Sequence, residues 1–432
     1  MVHFISFGKY NKLYKYIWFF LIICLVNEYI FSDIFPDQIK PSIFETTNYP
    51  SNILIQGFFN YLGSFIFSIF VYLYEKSQLQ KSENNNESEA TSRTSSILYR
   101  YEYIYYTKKL AESKIKTIIF ISIILIISIE SLNIFLLLNL DGITYWSFDL
   151  FFLSYINLKL FGVPIYSHKK FSIVFIAVFS TLFLIFSTYE LLTNDNYNLI
   201  YKNHLFLIPI LIVLYQFLSI SRFYSLCIIK WSIDYKYIPV SIILLICSFS
   251  GMILLLIASL ISSFIKCVDK TTLNDVDLIC LINIKEDNKT DYYFDSFSFF
   301  FEKLRDKETV GLNILYIFLF LLKILLNSLR LLFSLLIIKH LNPEYYLCSF
   351  IYYYFIIRLV YLIKTIIDDS DIKVTILNLI AQTISLICVM IYLELIELNF
   401  CNLDRNLKKN IEARSFSESS LNILYNEEVE NN

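Results

Sequence analysis

Apolar runs of about 20 residues alternate with polar segments along most of the chain. A helix of that length crosses the roughly 30 Å hydrocarbon core of a bilayer. Ten such runs are legible, at about 14–32, 51–74, 117–140, 145–163, 171–192, 203–229, 238–265, 310–338, 344–365 and 375–399. The pattern predicts an all-α polytopic membrane protein with about ten transmembrane helices. Barrel strands alternate over about ten residues, so continuous apolar runs exclude a β-barrel. No small-residue cleavage site follows the first run, which is therefore expected to stay as a membrane helix and not leave as a signal peptide.

The polar segments set the organisation. Pro36, Pro41 and Pro50 punctuate the first linker, and Asp141-Gly142 and Asn342-Pro343 mark tight turns. The segment 75–116 contains Glu83-Asn84-Asn85-Asn86-Glu87-Ser88, a low-complexity run expected to be disordered. Orientation follows from Lys and Arg, which favour the cytosolic side. Eight basic residues lie in 75–116 and four in the tail 401–432, whereas the loop 267–309 holds ten acids against six bases. Both termini are thus expected in the cytosol and 267–309 in a lumen or outside the cell. An even ten divides into five plus five, at 1–200 and 201–400. An odd number of spans per half makes the second half run inverted, an arrangement found in many secondary transporters.

One run is polar where lipid would forbid it. Lys323, Asn327, Arg330 and Ser334 fall on one face of a helix over 310–338. A cation at membrane depth costs about 3 kcal/mol on insertion scales, so this face must look into a bundle or a cavity. Arg222 shares a face with Tyr215 and Ser219, and Arg358 lies between Tyr354 and Tyr361 in the same way. These groups suit an anion, Arg through its planar fork and Tyr by stacking. For Arg222 and Arg330 the competing reading is snorkelling to headgroups. Glu130 is the deepest acid, and in an inverted repeat its span is the counterpart of the one carrying Lys323. It is expected to face Lys323 or Arg330, as a gate or as a structural ion pair. Gln56, Asn60 and Ser64 form a neutral polar face read as interhelical hydrogen bonding. Ser248, Gly251, Ala258 and Ser262 form a small-residue face for close packing. His168, His204 and His340 stand near run boundaries with no partner at motif spacing, so no membrane His is seen with an acidic partner.

With this layout the chain resembles the drug/metabolite transporter superfamily, in its nucleotide-sugar and related endomembrane branch. The resemblance covers about residues 14–400. It rests on the ten-run layout, Asn342-Pro343 opening the ninth run, Phe249-Ser250-Gly251 inside the seventh, and the acidic cysteine-bearing loop after it. It implies a central cavity between two halves that opens alternately to each side, in an endomembrane such as Golgi, ER or vacuole.

Composition narrows the classes further. The chain is 56% hydrophobic and only 17% charged, whereas a soluble protein carries about 25% charge. A net charge of −2 offers no nucleic-acid surface. The eight cysteines form no paired motif, so neither a zinc site nor another metal is expected. Cys267 and Cys280 share the lumenal loop, where a disulfide or two free thiols are both open. Asn288-Lys289-Thr290 is an accessible glycosylation sequon there, while Asn86-Glu87-Ser88 would face the cytosol. The expectation is a carrier, not an enzyme, that moves a small polar, anionic metabolite without a cofactor. Its substrate site would be Lys323, Asn327, Arg330, Arg358, Tyr354, Arg222 and Glu130. Its partners would be the bilayer, the solute and a second copy in a homodimer. The alternatives are a non-transporting scaffold or receptor, and a lipid-handling protein.

Overall fold

The computed structural model describes residues 5–7, 14–28, 53–85, 114–137, 147–162, 165–193, 207–236, 238–262, 281–283, 291–293, 310–367, 372–398 and 407. Among them are ten helices: α1 (Lys15–Glu28), α2 (Ile53–Asn85), α3 (Lys114–Leu137), α4 (Ser147–Phe161), α5 (Ser167–Thr193), α6 (Leu207–Lys236), α7 (Val240–Ser262), α8 (Val310–His340), α9 (Pro343–Ile367) and α10 (Ile372–Tyr392). Each falls on one of the ten apolar runs. Two short ribbons accompany them, β1 (Ile5–Phe7) with β4 (Ile396–Leu398) and β2 (Leu281–Asn283) with β3 (Asp291–Tyr293), both antiparallel.

Among the described residues three stretches are long and apolar enough to cross a membrane, Leu54–Gln78, Val240–Ile261 and Ile317–His340. Burial is inside-out relative to a soluble fold. Phe70, Phe120, Val213 and Phe318 expose more than 60% of their surface, while Ser68, Ser122, Ser172, Ser219 and Ser248 are fully buried. Large apolar groups outside and small hydroxyls between helices suit hydrocarbon, where helices pack through small residues.

Two boundaries depart from the expected runs. α2 continues to Asn85, so 75–85 is helical where a polar segment was expected, including the first residues of the low-complexity run. Glu75, Lys76, Gln78, Leu79, Gln80 and Lys81 are good helix formers, and the helix carries on without needing an apolar sequence. From Asn86 the run lies outside the described residues. The tenth run was expected to continue to 399, but α10 ends at Tyr392. There the N–H of Leu395 donates to Met390 O (2.8 Å) and that of Glu394 to Ile391 O (3.1 Å). This pair of bonds is the Schellman terminator, which needs a left-handed residue between helix and exit. Glu394 supplies it, with φ of 60°. The chain then turns into β4, pairing Ile5 with Leu398, Ser6 with Glu397 and Phe7 with Ile396.

The chain divides into two compact units, and neither coincides with a half of the sequence. The six-helix unit, Lys15–Thr144 with Ser187–Tyr346, holds α1, α2, α3, α6, α7 and α8. The four-helix unit, Met1–Tyr14 with Tyr145–Phe186 and Leu347–Asn432, holds α4, α10 and most of α5 and α9. Each unit thus takes the same helices from the first five as from the second five.

In the six-helix unit the most extensive packing is α2 on α7. The two helices run antiparallel and cross at glycines. A β-carbon on Gly57 would stand 2.8 Å from Leu255 Cδ1, and one on Gly251 would overlap the Tyr61 ring. One sequence offset relates both Gly57 to Gly251 and Tyr61 to Leu255, so the two helices swap roles across the crossing. The other large contacts follow the same exchange: α3 on α6 mirrors α8 on α1, and α2 on α8 mirrors α7 on α3. Smaller α7–α8 and α6–α8 contacts have no equally large counterparts.

Several helix ends in this unit meet one another. Ser241 at the start of α7 hydrogen-bonds Glu75 of α2, Lys230 near the end of α6 donates to Lys339 O of α8 (2.8 Å), and the Tyr16 and His340 rings stack at 4.9 Å.

Candidate functional site

The polar stripe of α8 meets the polar face of α2. Lys323 Nζ donates to Gln56 Oε1 at 3.0 Å, Asn327 Nδ2 donates to Asn60 Oδ1 at 3.0 Å, and Ser64 Oγ donates to Ser328 Oγ at 3.2 Å. Gln56, Asn60 and Ser64 recur every four residues, as do Lys323 and Asn327, so two parallel helices bring the rungs into register. Gly63 allows the approach, because a β-carbon there would overlap Ile324. Asn327 is buried and Lys323 half-buried. Side-chain amides are the right partners here, since a buried polar group without one costs about 1–3 kcal/mol. Sequence read the α2 face as interhelical hydrogen bonding. That its partner is the α8 stripe was not visible, because the partners are about 265 residues apart.

Charge gathers around this ladder. Glu130 of α3 lies against the α2 backbone, where a β-carbon on Gly57 would be 3.7 Å from its Oε2. Gln56, next along the chain, takes the Lys323 bond. The expected opposite charges therefore reach α2 at consecutive residues. Tyr61, one turn further, is in electrostatic range of both Glu130 and Arg330. Tyr346 is in range of Arg330 and Arg222.

No protein-family model matches the chain, and no curated protein matches it.

The remaining predicted residues separate. Arg222 is 6% exposed, on a face it shares with buried Tyr215 and Ser219, so its guanidinium sits within the unit and not on its outer surface. Lys323, Asn327, Arg330, Glu130 and Arg222 thus all belong to the six-helix unit. Tyr354 and Arg358 lie one turn apart on α9 in the four-helix unit, and their side chains are outside the described part. Cys267, Cys280 and Asn288 lie outside the described residues. Among the described residues no three His, Cys, Asp or Glu side chains converge as a metal would require.

The four-helix unit holds a second polar cluster that sequence reading missed. His168, in the first turn of α5, has its Nε2 3.3 Å from Glu394 Oε1, with side-chain exposures of 2% and 24%. Neither imidazole nitrogen meets a partner in hydrogen-bond geometry, so the 3.3 Å approach is an ionic contact without alignment. The Tyr166 ring lies along the imidazole at 6.2 Å. Lys169 Nζ sits 4.7 Å from the centre of the Tyr392 ring, and the Tyr392 hydroxyl shares a 2.7 Å hydrogen bond with Ser154 Oγ of α4. His168, expected to stand at a run boundary with no partner at motif spacing, thus has an acidic neighbour in Glu394. Glu394 is 226 positions from His168 and was assigned to a helix that ends before it.

Proposed function

We propose that the chain is a ten-span membrane carrier for a small anionic metabolite, built as a five-plus-five inverted repeat and working by alternating access. The observation that carries this reading is that Lys323 and Asn327 bond the amide face of α2 while Glu130 lies against the same helix at Gly57 and Arg330 acts on Tyr61, inside a unit whose outer surfaces are apolar. Such a constellation is costly in hydrocarbon and is retained where polar solutes bind. Arg222 and Arg330 supply fixed cations, and Lys323 a mobile one that a substrate anion can draw away from Gln56. The exchange of α1–α3 with α6–α8 in the packing supports the repeat. So does the composition of the two units, each closed under that exchange. The glycine crossing of α2 and α7 lies at the centre of the exchange, where an inverted repeat rocks. The drug/metabolite transporter likeness and an endomembrane location belong to the same proposal.

A second reading, a membrane scaffold or receptor without transport, is favoured by the rungs closing on each other. Uptake into vesicles reconstituted with the purified protein separates the two. The carrier reading expects saturable uptake of one class among nucleotide sugars, sugar phosphates and amino acids, and its loss in Lys323→Ala. Folded protein that moves none of them favours the scaffold.

A further inference from the structure

The His168–Glu394 pair lies outside the ladder. Two features of it are costly to the fold. The first is Glu394 itself. A Schellman terminator takes a left-handed residue, almost always glycine. In the same unit α4 ends on a glycine of that conformation, Gly162 with φ of 66°. α10 ends on Glu394 with φ of 60°, the one non-glycine with positive φ among the described residues. Strain of this kind collects where a side chain is needed at a set place. The side chain it places is a carboxylate, aimed at His168. The second feature is His168, almost wholly buried, with neither ring nitrogen in hydrogen-bond geometry. A buried imidazole is normally fixed by such bonds, and one that is not keeps the capacity to accept a proton.

We propose that His168 and Glu394 form a proton-binding site. Glu394 retains about a quarter of its surface exposed and is the way in, while His168 is the buried acceptor. With the neutral ring carrying its hydrogen on Nδ1, a proton arriving from water at Glu394 Oε1 passes to the Nε2 lone pair. The O–H bond at Oε1 breaks as the N–H bond at Nε2 forms, no heavy-atom bond changes, and the pair, having taken one proton from hydronium, goes from a charge of −1 to zero. Return to the carboxylate and to water reverses it. Among the described residues the elements that carry the pair also hold Tyr166, Lys169 and Lys170 at the start of α5, Cys388 and Tyr392 on α10 and Glu397 on β4, and α4, tied to Tyr392 through Ser154, holds Asp149, Tyr155 and Lys159. Lys169 is held over the Tyr392 ring and Asp149 is fully buried. The site stands without the carrier reading. Where that reading also holds, the proton is the coupling ion.

The test is a histidine-labelled NMR titration of the full-length protein in detergent, feasible because the chain has four histidines. The signal lost in His168→Gln is assigned to His168. It should respond as the pH is stepped between about 5 and 8. Its proton affinity should fall at least tenfold in Glu394→Gln and in Glu394→Gly. The glycine variant relieves the left-handed strain and guards against a variant that fails to fold. A His168 signal unchanged across that range in the unaltered protein, or titrating identically in both Glu394 variants, overturns the proposal. In vesicles, an imposed pH gradient should change uptake by the unaltered protein and not by Glu394→Gly. Absence of any uptake counts against the carrier alone, since the titration decides the proton site.

Discussion

Lys323 and Gln56 face each other from parallel helices, the ammonium donating to the amide oxygen across 3.0 Å. The bond decides between a substrate cation and a structural rung. Gln56→Leu removes this acceptor and should destabilise by about 1.5–3 kcal/mol, the range for a hydrogen bond to a charged group. If Lys323 binds the solute, Lys323→Ala loses uptake and keeps its Tm within a few degrees. If the rung is structural only, the double variant Gln56→Leu with Lys323→Ala should recover most of the stability that Gln56→Leu loses. Uptake and thermal stability of both single variants and the double measure this. Unimpaired uptake by a stable Lys323→Ala protein would remove the ladder from the binding site.

Lys230 closes the end of α8. It is buried, donates to Lys339 O at 2.8 Å and lies 3.2 Å from Asp234 Oδ2. A cation at a helix C-terminus meets both orphan carbonyls and the negative end of the helix dipole. Lys230→Met keeps most of the apolar stem, so the loss isolates the charge and should be about 1–2 kcal/mol. Thermal unfolding in detergent should show the lower Tm. An unchanged Tm would make the contact energetically idle.

The ten helices among the described residues were legible because each coincides with a long apolar run, and three of those runs are long and apolar enough to cross a membrane. Their ends were less so. α2 outlasts its apolar part because good helix formers follow it, and α10 stops early because of a terminator in which Glu394 replaces the glycine that would have marked it. The stripe on α8 was legible as a face, since Lys323, Asn327 and Arg330 recur at helical spacing. Its partner face was legible too, but the register between Gln56 and Lys323 depends on which helices pack. The His168–Glu394 pair had no sequence signal at all, because neither residue belongs to a spaced motif.

The alternation of spans makes a chemical prediction. In a cell that glycosylates, Asn288 should carry glycan and Asn86 should not. Mass spectrometry without reductant should find Cys267 joined to Cys280, a loop closure worth about 3 kcal/mol in the chain-entropy model. Glycan on Asn86, or protease cleavage of 267–309 from the cytosolic side of sealed microsomes, would reverse the orientation.

The crossing of α2 and α7 predicts an asymmetric response to two alanines. A glycine to alanine change gains up to about 1 kcal/mol of helix propensity, so a site with room should be neutral or better. At Gly57 the new methyl would meet the tip of Leu255, 2.8 Å away, and a leucine end can change rotamer. At Gly251 it would meet the flat of the Tyr61 ring, which moves only as a whole. Overpacking against such a group costs about 1–3 kcal/mol. Gly251→Ala should therefore unfold at lower temperature than Gly57→Ala, and adding Tyr61→Leu should recover part of the difference. In the inverted-repeat reading the same change also biases the rocking of the two halves. Gly251→Ala should then alter uptake by more than its stability loss alone explains, whereas Gly57→Ala should not. A Gly251→Ala protein as stable as the unaltered chain, with no rescue by Tyr61→Leu, would mean that the helices do not cross at these glycines.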